Sequence, residues 1–137
     1  MTHAALIPRP PREEIIEVST ALVWRDARGF VVCDQVPRAL QTWDTACEMM
    51  QAGRRLQPEG NIAMVVLSNE SRTTRGARQA FAELGAAQNA CVALVVRSRV
   101  SEITGNFFLR INRPPFPMRL FEEADDAIEW ALGYVGR

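Results

Sequence analysis

The chain has 137 residues, of which 47% are hydrophobic, and its 16 basic residues balance its 16 acidic ones. This length and composition indicate a single globular domain that can bury its own core. The formal net charge of zero excludes a strong field towards nucleic acid or an anionic membrane. We therefore expect neither nucleic-acid binding nor membrane insertion.

The usage of lysine and histidine excludes several classes of enzyme. The chain has no lysine, which excludes a Schiff base and a P-loop lysine. Its single histidine, His3, lies near the N-terminus, so a buried Ser-His-Asp triad or a His-rich metal site is not expected. The sequence therefore predicts a non-enzymatic protein without a cofactor or a metal.

The three cysteines, Cys33, Cys47 and Cys91, are far apart and form no C-x-x-C motif. Cys33 and Cys91 lie in apolar, strand-like segments, where cysteine is usually a small buried hydrophobe. Neither a signal peptide nor a run of 18 apolar residues is present. These features predict a reduced, cytoplasmic protein.

The first predicted elements are a tail and a hairpin. Residues 1–12 contain three prolines and predict a flexible tail, or alternatively a strap over the sheet edge, ahead of a domain spanning residues 13–137. Residues 15–24 and 30–36 alternate in polarity, and the five-residue link between them ends in Gly29, which predicts an antiparallel hairpin. The residues expected on one face of the first strand are Ile16, Val18, Thr20, Leu22 and Trp24.

Helices and strands alternate after Pro37. Apolar residues at helical spacing predict helices that begin near Trp43 and Ala77, and each is followed by an apolar run, 62–67 or 91–96, typical of a strand buried on both faces. A third apolar stripe covers residues 100–111 and ends before Pro114. A short strand at 117–121 and an acidic-capped helix complete the order ββαβαβαβα, which predicts an α/β domain with a largely parallel sheet.

Residues 97–121, RSRVSEITGNFFLRINRPPFPMRLF, are followed by an acidic helix that contains Ala127 and Trp130. This segment resembles the SpoIIAA-like family of small bacterial proteins, which are described as STAS/SEC14-type domains. The resemblance implies a mixed sheet of about five strands with helices on its faces. Better-known relatives of the family are anti-sigma factor antagonists, which bind a kinase and are switched by phosphorylation of a Ser or Thr.

That phosphorylated residue opens the helix after the third strand of the relatives, in a D-S-S-G-type motif. The matching residues here are Thr73-Thr74-Arg75-Gly76, so the resemblance implies that Thr74 is the phosphoacceptor. Thr73 stands where the relatives have an acidic residue, and Arg75 replaces a small one. The motif is therefore only partly preserved.

Two groups of residues are candidate sites. The first is a loop that leaves the carboxyl end of a buried parallel strand, where ligands usually bind in open α/β sheets. It would act as a phosphoacceptor or a docking loop, whereas in the alternative interpretation Thr73 or Thr74 only caps the next helix. Its residues are Ser68, Ser71, Thr73, Thr74 and Gly76.

The second candidate is a patch of basic and amide side chains for an anionic ligand or an acidic partner. Its alternative is a solvated helix face with Arg–Glu pairs of little energetic value. The residues of this patch are Arg97, Arg99, Asn106, Arg110 and Arg113.

Three functions are compatible with these features. The first is a regulatory or protein-interaction module with an unidentified protein partner. The second is a binder of a small anionic or lipid-like molecule, held in an apolar pocket under the helix at 100–111. The third is an enzyme using carboxylates such as Asp34, Glu70 or Glu102. A homodimer is a further expectation, since apolar helix faces and a sheet edge could be covered by a second copy.

Overall fold

The computed structural model describes residues 7–96 and 114–137. They form a six-stranded mixed sheet in the order β1-β2-β3-β5-β7-β8. β1, β2 and β3 are antiparallel neighbours, and β3, β5, β7 and β8 run parallel. The strands are β1 (Ile16–Val18), β2 (Ala21–Arg25), β3 (Val31–Gln35), β5 (Ile62–Leu67), β7 (Asn89–Val95) and β8 (Met118–Phe121).

A second, very small sheet lies outside the main one. It consists of β4 (Leu40–Gln41) and β6 (Arg72–Thr73), which pair in parallel. In the described part of the chain the helices are α1 (Trp43–Leu56), α2 (Arg75–Gln88) and α3 (Ala124–Leu132).

The helix starts follow from local sequence. Thr42 and Thr45 form a reciprocal capping box at the start of α1, and the Thr74 side chain accepts a hydrogen bond from the backbone N–H of Ala77 at the start of α2. Asp125 and Asp126 lie in the first turn of α3, where negative charge is favourable to the helix dipole.

The core lies on both faces of the sheet. Alternation along β3 sends Val32 to one face and Val31 and Cys33 to the other. One face is covered by α1 and α2, and the other by α3 together with Ile7 from the N-terminal segment.

The predicted α/β class and mixed sheet are confirmed, but residues 15–24 do not form one strand. The chain turns back at Ser19 and Thr20, so these residues provide β1 and β2. Residues expected on a single face are therefore divided: Ile16 and Val18 pack on the α1/α2 side, whereas Leu22 and Trp24 pack on the α3 side. This early turn is why the sheet has six strands rather than about five. The predicted helix at 100–111 lies outside the described residues.

Residues 7–12 lie against the domain. Ile7 is 1% exposed and belongs to the core cluster on the α3 side, and Arg9 forms an ion pair with Asp34. Beyond Pro11 the chain makes one 3-10 turn at Arg12–Glu14 and enters β1. Residues 7–9 thus resemble the alternative of a strap packed on the sheet. They cover a face of the sheet, however, and not its edge.

The predicted burial of Cys33 and Cys91 is confirmed. Burial raises the pKa of the Cys33 thiol to about 12 and that of Cys91 to about 11, so both thiols are protonated at neutral pH. Within residues 7–96 and 114–137, no helix is both long and apolar enough to cross a bilayer. In that same part of the chain no three His, Cys, Asp or Glu side chains converge as metal ligands would.

Candidate interaction surface at the carboxyl ends of the strands

Two loops meet beyond the carboxyl ends of β3 and β5, and backbone hydrogen bonds join them. The N–H of Arg38 donates to the carbonyl of Asn69 (2.9 Å), and the N–H of Arg72 donates to the carbonyl of Ala39 (2.8 Å). The pairing of β4 with β6 continues this contact. Residues 36–43 and 68–76 therefore form one structural unit, which we call the two-loop surface.

Gln41 anchors this surface to the domain. Its side chain is fully buried, and its Oε1 accepts hydrogen bonds from the hydroxyls of Thr20 and Thr45, both at 2.8 Å. Its carbonyl accepts a bond from the Thr74 hydroxyl at 2.9 Å. One buried residue thus ties together the first hairpin, the start of α1 and the start of α2.

Asp34 and Gln35, the last two residues of β3, form a second anchor. The Asn69 amide donates to Asp34 Oδ1 (2.8 Å) and to the carbonyl of Gln35 (2.6 Å). The hydroxyl of Ser71 donates to Gln35 Oε1. Since Asp34 and Gln35 are both buried, these bonds lie largely away from water, where they position the loop strongly.

The backbone of the two-loop surface is strained. Arg38, Asn69 and Glu70 have φ values of 61°, 49° and 60°, and they are the non-glycine residues with positive φ in the described part of the chain. A left-handed conformation costs an L-residue roughly 1–2 kcal/mol. Such strain persists where the surroundings over-determine the conformation, as the Asn69 bonds do here.

Large apolar side chains are exposed on the same surface. Val36, Leu40 and Trp43 are 47%, 48% and 42% exposed, and Leu132 is the other large apolar residue exposed in the described ranges. Trp43 lies beside the start of α2, because a Cβ on Gly76 would be 3.5 Å from its Cβ. Several exposed large apolar residues in one short segment are typical of interaction sites, whereas a single residue such as Leu132 is ordinary.

Arginine predominates around these apolar side chains. Residues 36–44 and 68–78 contain four arginines and two carboxylates. The Arg38–Glu70 ion pair is 3.7 Å long and exposed on both sides, so it neutralises little of this charge. The arginines are Arg38, Arg72, Arg75 and Arg78, and the carboxylates are Asp44 and Glu70.

The structure brings together all five predicted loop residues. Ser68 is buried, Ser71 is half-buried and Thr73 is exposed. The hydroxyl of Thr74 donates to the carbonyl of Gln41 and accepts from the N–H of Ala77 (3.2 Å), so Thr74 caps α2. Gly76 lies in the first turn of α2. Phosphorylation of Thr74 stays a prediction. It would remove the hydroxyl proton that Thr74 donates to Gln41, whereas an oxygen of the phosphothreonine could still accept the N–H of Ala77.

The second predicted site is not described by the structure. Its five residues, and the pocket expected under the helix at 100–111, fall within residues 97–113, outside the described ranges.

Sequence reasoning missed the exposed apolar residues and Arg9. Trp43 fits the helical spacing of Ala46, Cys47 and Met50, but it is the first helical residue and projects from the end of that stripe. Leu40 carried a weak signal, because it is a single large apolar residue in the polar segment between Pro37 and Thr42. No local pattern could show that Arg9 would reach Asp34, 25 residues away.

Comparison with known proteins supports this fold. A family model described as Domain of unknown function (DUF7793) matches residues 23–135, which include both loops. The chain belongs to this family. No curated protein matches it in sequence.

A solved structure shares the architecture. It is the crystal structure of an uncharacterised DUF3478-family protein with a SpoIIAA-like fold from Shewanella loihica PV-4. The match has a TM-score of 0.57 at 15% identity and covers 81% of this chain and 91% of that one. The resemblance to SpoIIAA-like proteins is thereby confirmed for the fold.

Proposed function

We propose that the protein is a non-enzymatic regulatory module that binds an acidic protein partner through the two-loop surface. The observation that carries the proposal is a coincidence of two independent features. The loop predicted from sequence as a docking loop pairs with the segment that carries three of the exposed large apolar residues.

The residue types of the surface favour a protein as its ligand. Trp and Arg are the residues most enriched among those that dominate binding energy at protein interfaces. Trp43, Leu40 and Val36 are exposed within one short segment, so apolar side chains are available for burial. Arg38, Arg72 and Arg75 are exposed near this segment and provide a polar rim.

The charge of the rim favours an acidic partner. An excess of arginine attracts carboxylates over distances up to the Debye length, which is about 8 Å at physiological salt. Such attraction chiefly raises the association rate and rejects basic competitors. Binding should therefore weaken as salt concentration rises.

The buried anchors support binding by a pre-formed surface. Gln41, Asp34 and Gln35 hold both loops through hydrogen bonds made before any partner arrives. A surface that is already ordered loses less conformational entropy on association.

The surroundings of Asp34 support a non-enzymatic role. The side chain of this carboxylate is only 4% exposed and is already bound by Arg9 and Asn69. It is therefore poorly placed to act as a general base on a substrate, which would need to approach one of its oxygens.

The proposal is tested by capture with matched variants. Wild-type chain, Trp43→Ser and Leu132→Ser are used as baits in extract of the native host, and the bound protein is then purified and its Kd measured against all three. We expect Trp43→Ser to weaken binding at least about tenfold, the effect typical of a central interface residue, and Leu132→Ser to have no effect. Raising the salt concentration from about 0.05 M to about 0.5 M should also weaken wild-type binding.

Two results would overturn the proposal. One is a Kd that is equal in the Trp43→Ser and Leu132→Ser variants. The other is a small molecule, detected by native mass spectrometry on host-purified chain, that accompanies the protein in place of any partner. The second result would favour the ligand-binding alternative.

A further inference from the structure

We infer that the N-terminal segment, Ile7 to Arg9, controls the two-loop surface by holding Asp34. This inference rests on the proposed function for its biological meaning, but the coupling itself is a property of the isolated chain. We call residues 7–9 the strap.

Asp34 joins the strap to the loop. Its Oδ2 accepts a hydrogen bond from Arg9 Nη2 at 2.9 Å, and its Oδ1 accepts one from the Asn69 amide at 2.8 Å. Arg9 and Asn69 therefore donate to the same carboxylate, which is almost fully buried. Because a buried carboxylate needs compensation for its charge, loss of Arg9 would turn the carboxylate towards water and away from the Asn69 amide, which binds its Oδ1.

Asn69 transmits this change to the rest of the surface. Its carbonyl accepts the N–H of Arg38 in the neighbouring loop, and both residues have positive φ. The side-chain bonds of Asn69 hold it in this left-handed conformation, which Asn adopts more readily than Arg38 does. When those bonds weaken, relaxation of the backbone towards ordinary φ values would withdraw the carbonyl from Arg38 and separate the two loops.

The strap has the composition of a segment that docks and releases easily. Pro8 in the strap, and Pro10 and Pro11 directly after it, restrict the backbone, so little conformational entropy is lost when the strap docks. Its attachment depends on Ile7 in the core cluster and on the half-exposed Arg9. A segment held at two points can open locally while the domain stays folded.

The strap therefore favours the binding-competent state when it is docked. A partner that binds the formed surface would in turn stabilise the docked strap, because coupling between two sites is reciprocal. Anything that displaces residues 7–9 would weaken partner binding without touching the surface itself.

Hydrogen exchange of the complete chain, followed by mass spectrometry, tests this coupling without a partner. The reporters are the N–H groups of Arg38 and Arg72, which donate across the two loops. Arg9→Ala and Ile7→Ala remove one strap anchor each. Arg12→Ala is the matched control in the same segment, and Ile128→Val is a control for mild destabilisation of the α3-side core.

We expect exchange at the reporters to accelerate roughly tenfold in Arg9→Ala, as for loss of one hydrogen bond to a charged group, and similarly in Ile7→Ala. Arg12→Ala and Ile128→Val should leave the reporters within about twofold of wild type. Unchanged reporters in both strap variants would overturn the inference, and so would equal acceleration in Ile128→Val. Acceleration in Arg9→Ala alone would also overturn it, since the effect would then belong to one ion pair and not to the strap.

The exchange experiment and the binding experiment distinguish failure of the strap–loop coupling from failure of the proposed function. If Trp43→Ser leaves partner binding unchanged while the strap variants still loosen the loops, the docking proposal fails and the coupling stands. If Trp43→Ser weakens binding while both strap variants leave exchange unchanged, the surface binds a partner without control by the strap.

Discussion

The turns at the two ends of the sheet differ in which residues adopt a positive φ angle. At the amino ends of the parallel strands, the turns place positive φ on glycines, Gly29 before β3 and Gly60 before β5. At the carboxyl ends, positive φ falls on Arg38, Asn69 and Glu70. Glycine adopts such angles without steric strain, whereas Arg and Glu do not and Asn is intermediate.

The difference indicates that the turns at the amino ends are built for stability, whereas the loops at the carboxyl ends keep a particular backbone shape at a cost in stability. The strained end has the buried network around Asp34 and Gln35 and three exposed large apolar residues, Val36, Leu40 and Trp43, whereas the one other exposed large apolar residue in the described ranges is Leu132. Strain that is retained by a supporting network is expected at functional sites.

The largest difference should come from the aspartates of the two ends. Asp34→Ala removes charge-assisted bonds to Arg9 and Asn69, and we expect a loss of about 2–4 kcal/mol in the free energy of unfolding. Asp26→Ala removes a turn contact with the exposed Arg28, and we expect at most about 1 kcal/mol. Urea denaturation of both variants measures the difference. Equal losses would contradict a larger contribution of Asp34 to the free energy of unfolding.

Gly29 should be intolerant of a side chain. Its φ is 108°, and a Cβ there would be 2.8 Å from Val135 Cγ1. We expect Gly29→Ala to lower the free energy of unfolding by about 1–3 kcal/mol, through backbone strain and overpacking. Thermal unfolding of Gly29→Ala is compared with that of Gly60→Ala. Gly60 also has a positive φ but no close neighbour, so the comparison separates backbone strain from overpacking.

At the opposite end, introducing glycine should be favourable. Glu70 is exposed, has a φ of 60° and makes only a 3.7 Å ion pair with Arg38. We expect Glu70→Gly to stabilise the fold by about 0.5 kcal/mol, because relief of strain slightly exceeds the entropy that glycine adds to the unfolded chain. Destabilisation in urea would show that the side chain of Glu70 matters more than its backbone angle.

The smallest effect concerns pH at the amino end. The side-chain hydrogen bond from Arg28 lowers the pKa of Asp26, so this pair stabilises the folded state above the unfolded pKa of about 4 and loses that contribution as the pH falls through the lower folded pKa. Arg28→Ala should therefore flatten the stability profile slightly below about pH 4. Denaturation at several acidic pH values measures this, and an unchanged profile would contradict the role of Arg28.

The sequence predicted the central part of the molecule well and its polar contacts poorly. The apolar run 62–67 predicted β5, because a strand buried on both faces is apolar throughout. The spacing of Ala77 and Ala80 predicted α2, because a helix buried on one face has apolar residues at helical spacing. The turn at Ser19 and Thr20 was missed, since alternation continues through it and neither Gly nor Pro marks it.

The candidate site was found through topology rather than through its chemistry. Loops after parallel strands meet at one end of the sheet, and this rule located residues 68–76 correctly. The partners that shape the site come from distant parts of the chain: Asn69 binds Asp34, which is 35 residues away, and Thr74 binds Gln41, 33 residues away. Hydrogen bonds of this kind have no sequence period, so only the folded structure reveals them.

Photo-crosslinking in the native host tests the central claim most directly. A photoreactive phenylalanine analogue is placed at position 43, at position 40 and, as the control, at position 132, and crosslinked peptides are identified by mass spectrometry. We expect positions 40 and 43 to crosslink to one acidic segment of the same protein, and position 132 not to do so. Crosslinks that are absent at positions 40 and 43, or that are shared equally with position 132, would contradict a docking role for the two-loop surface.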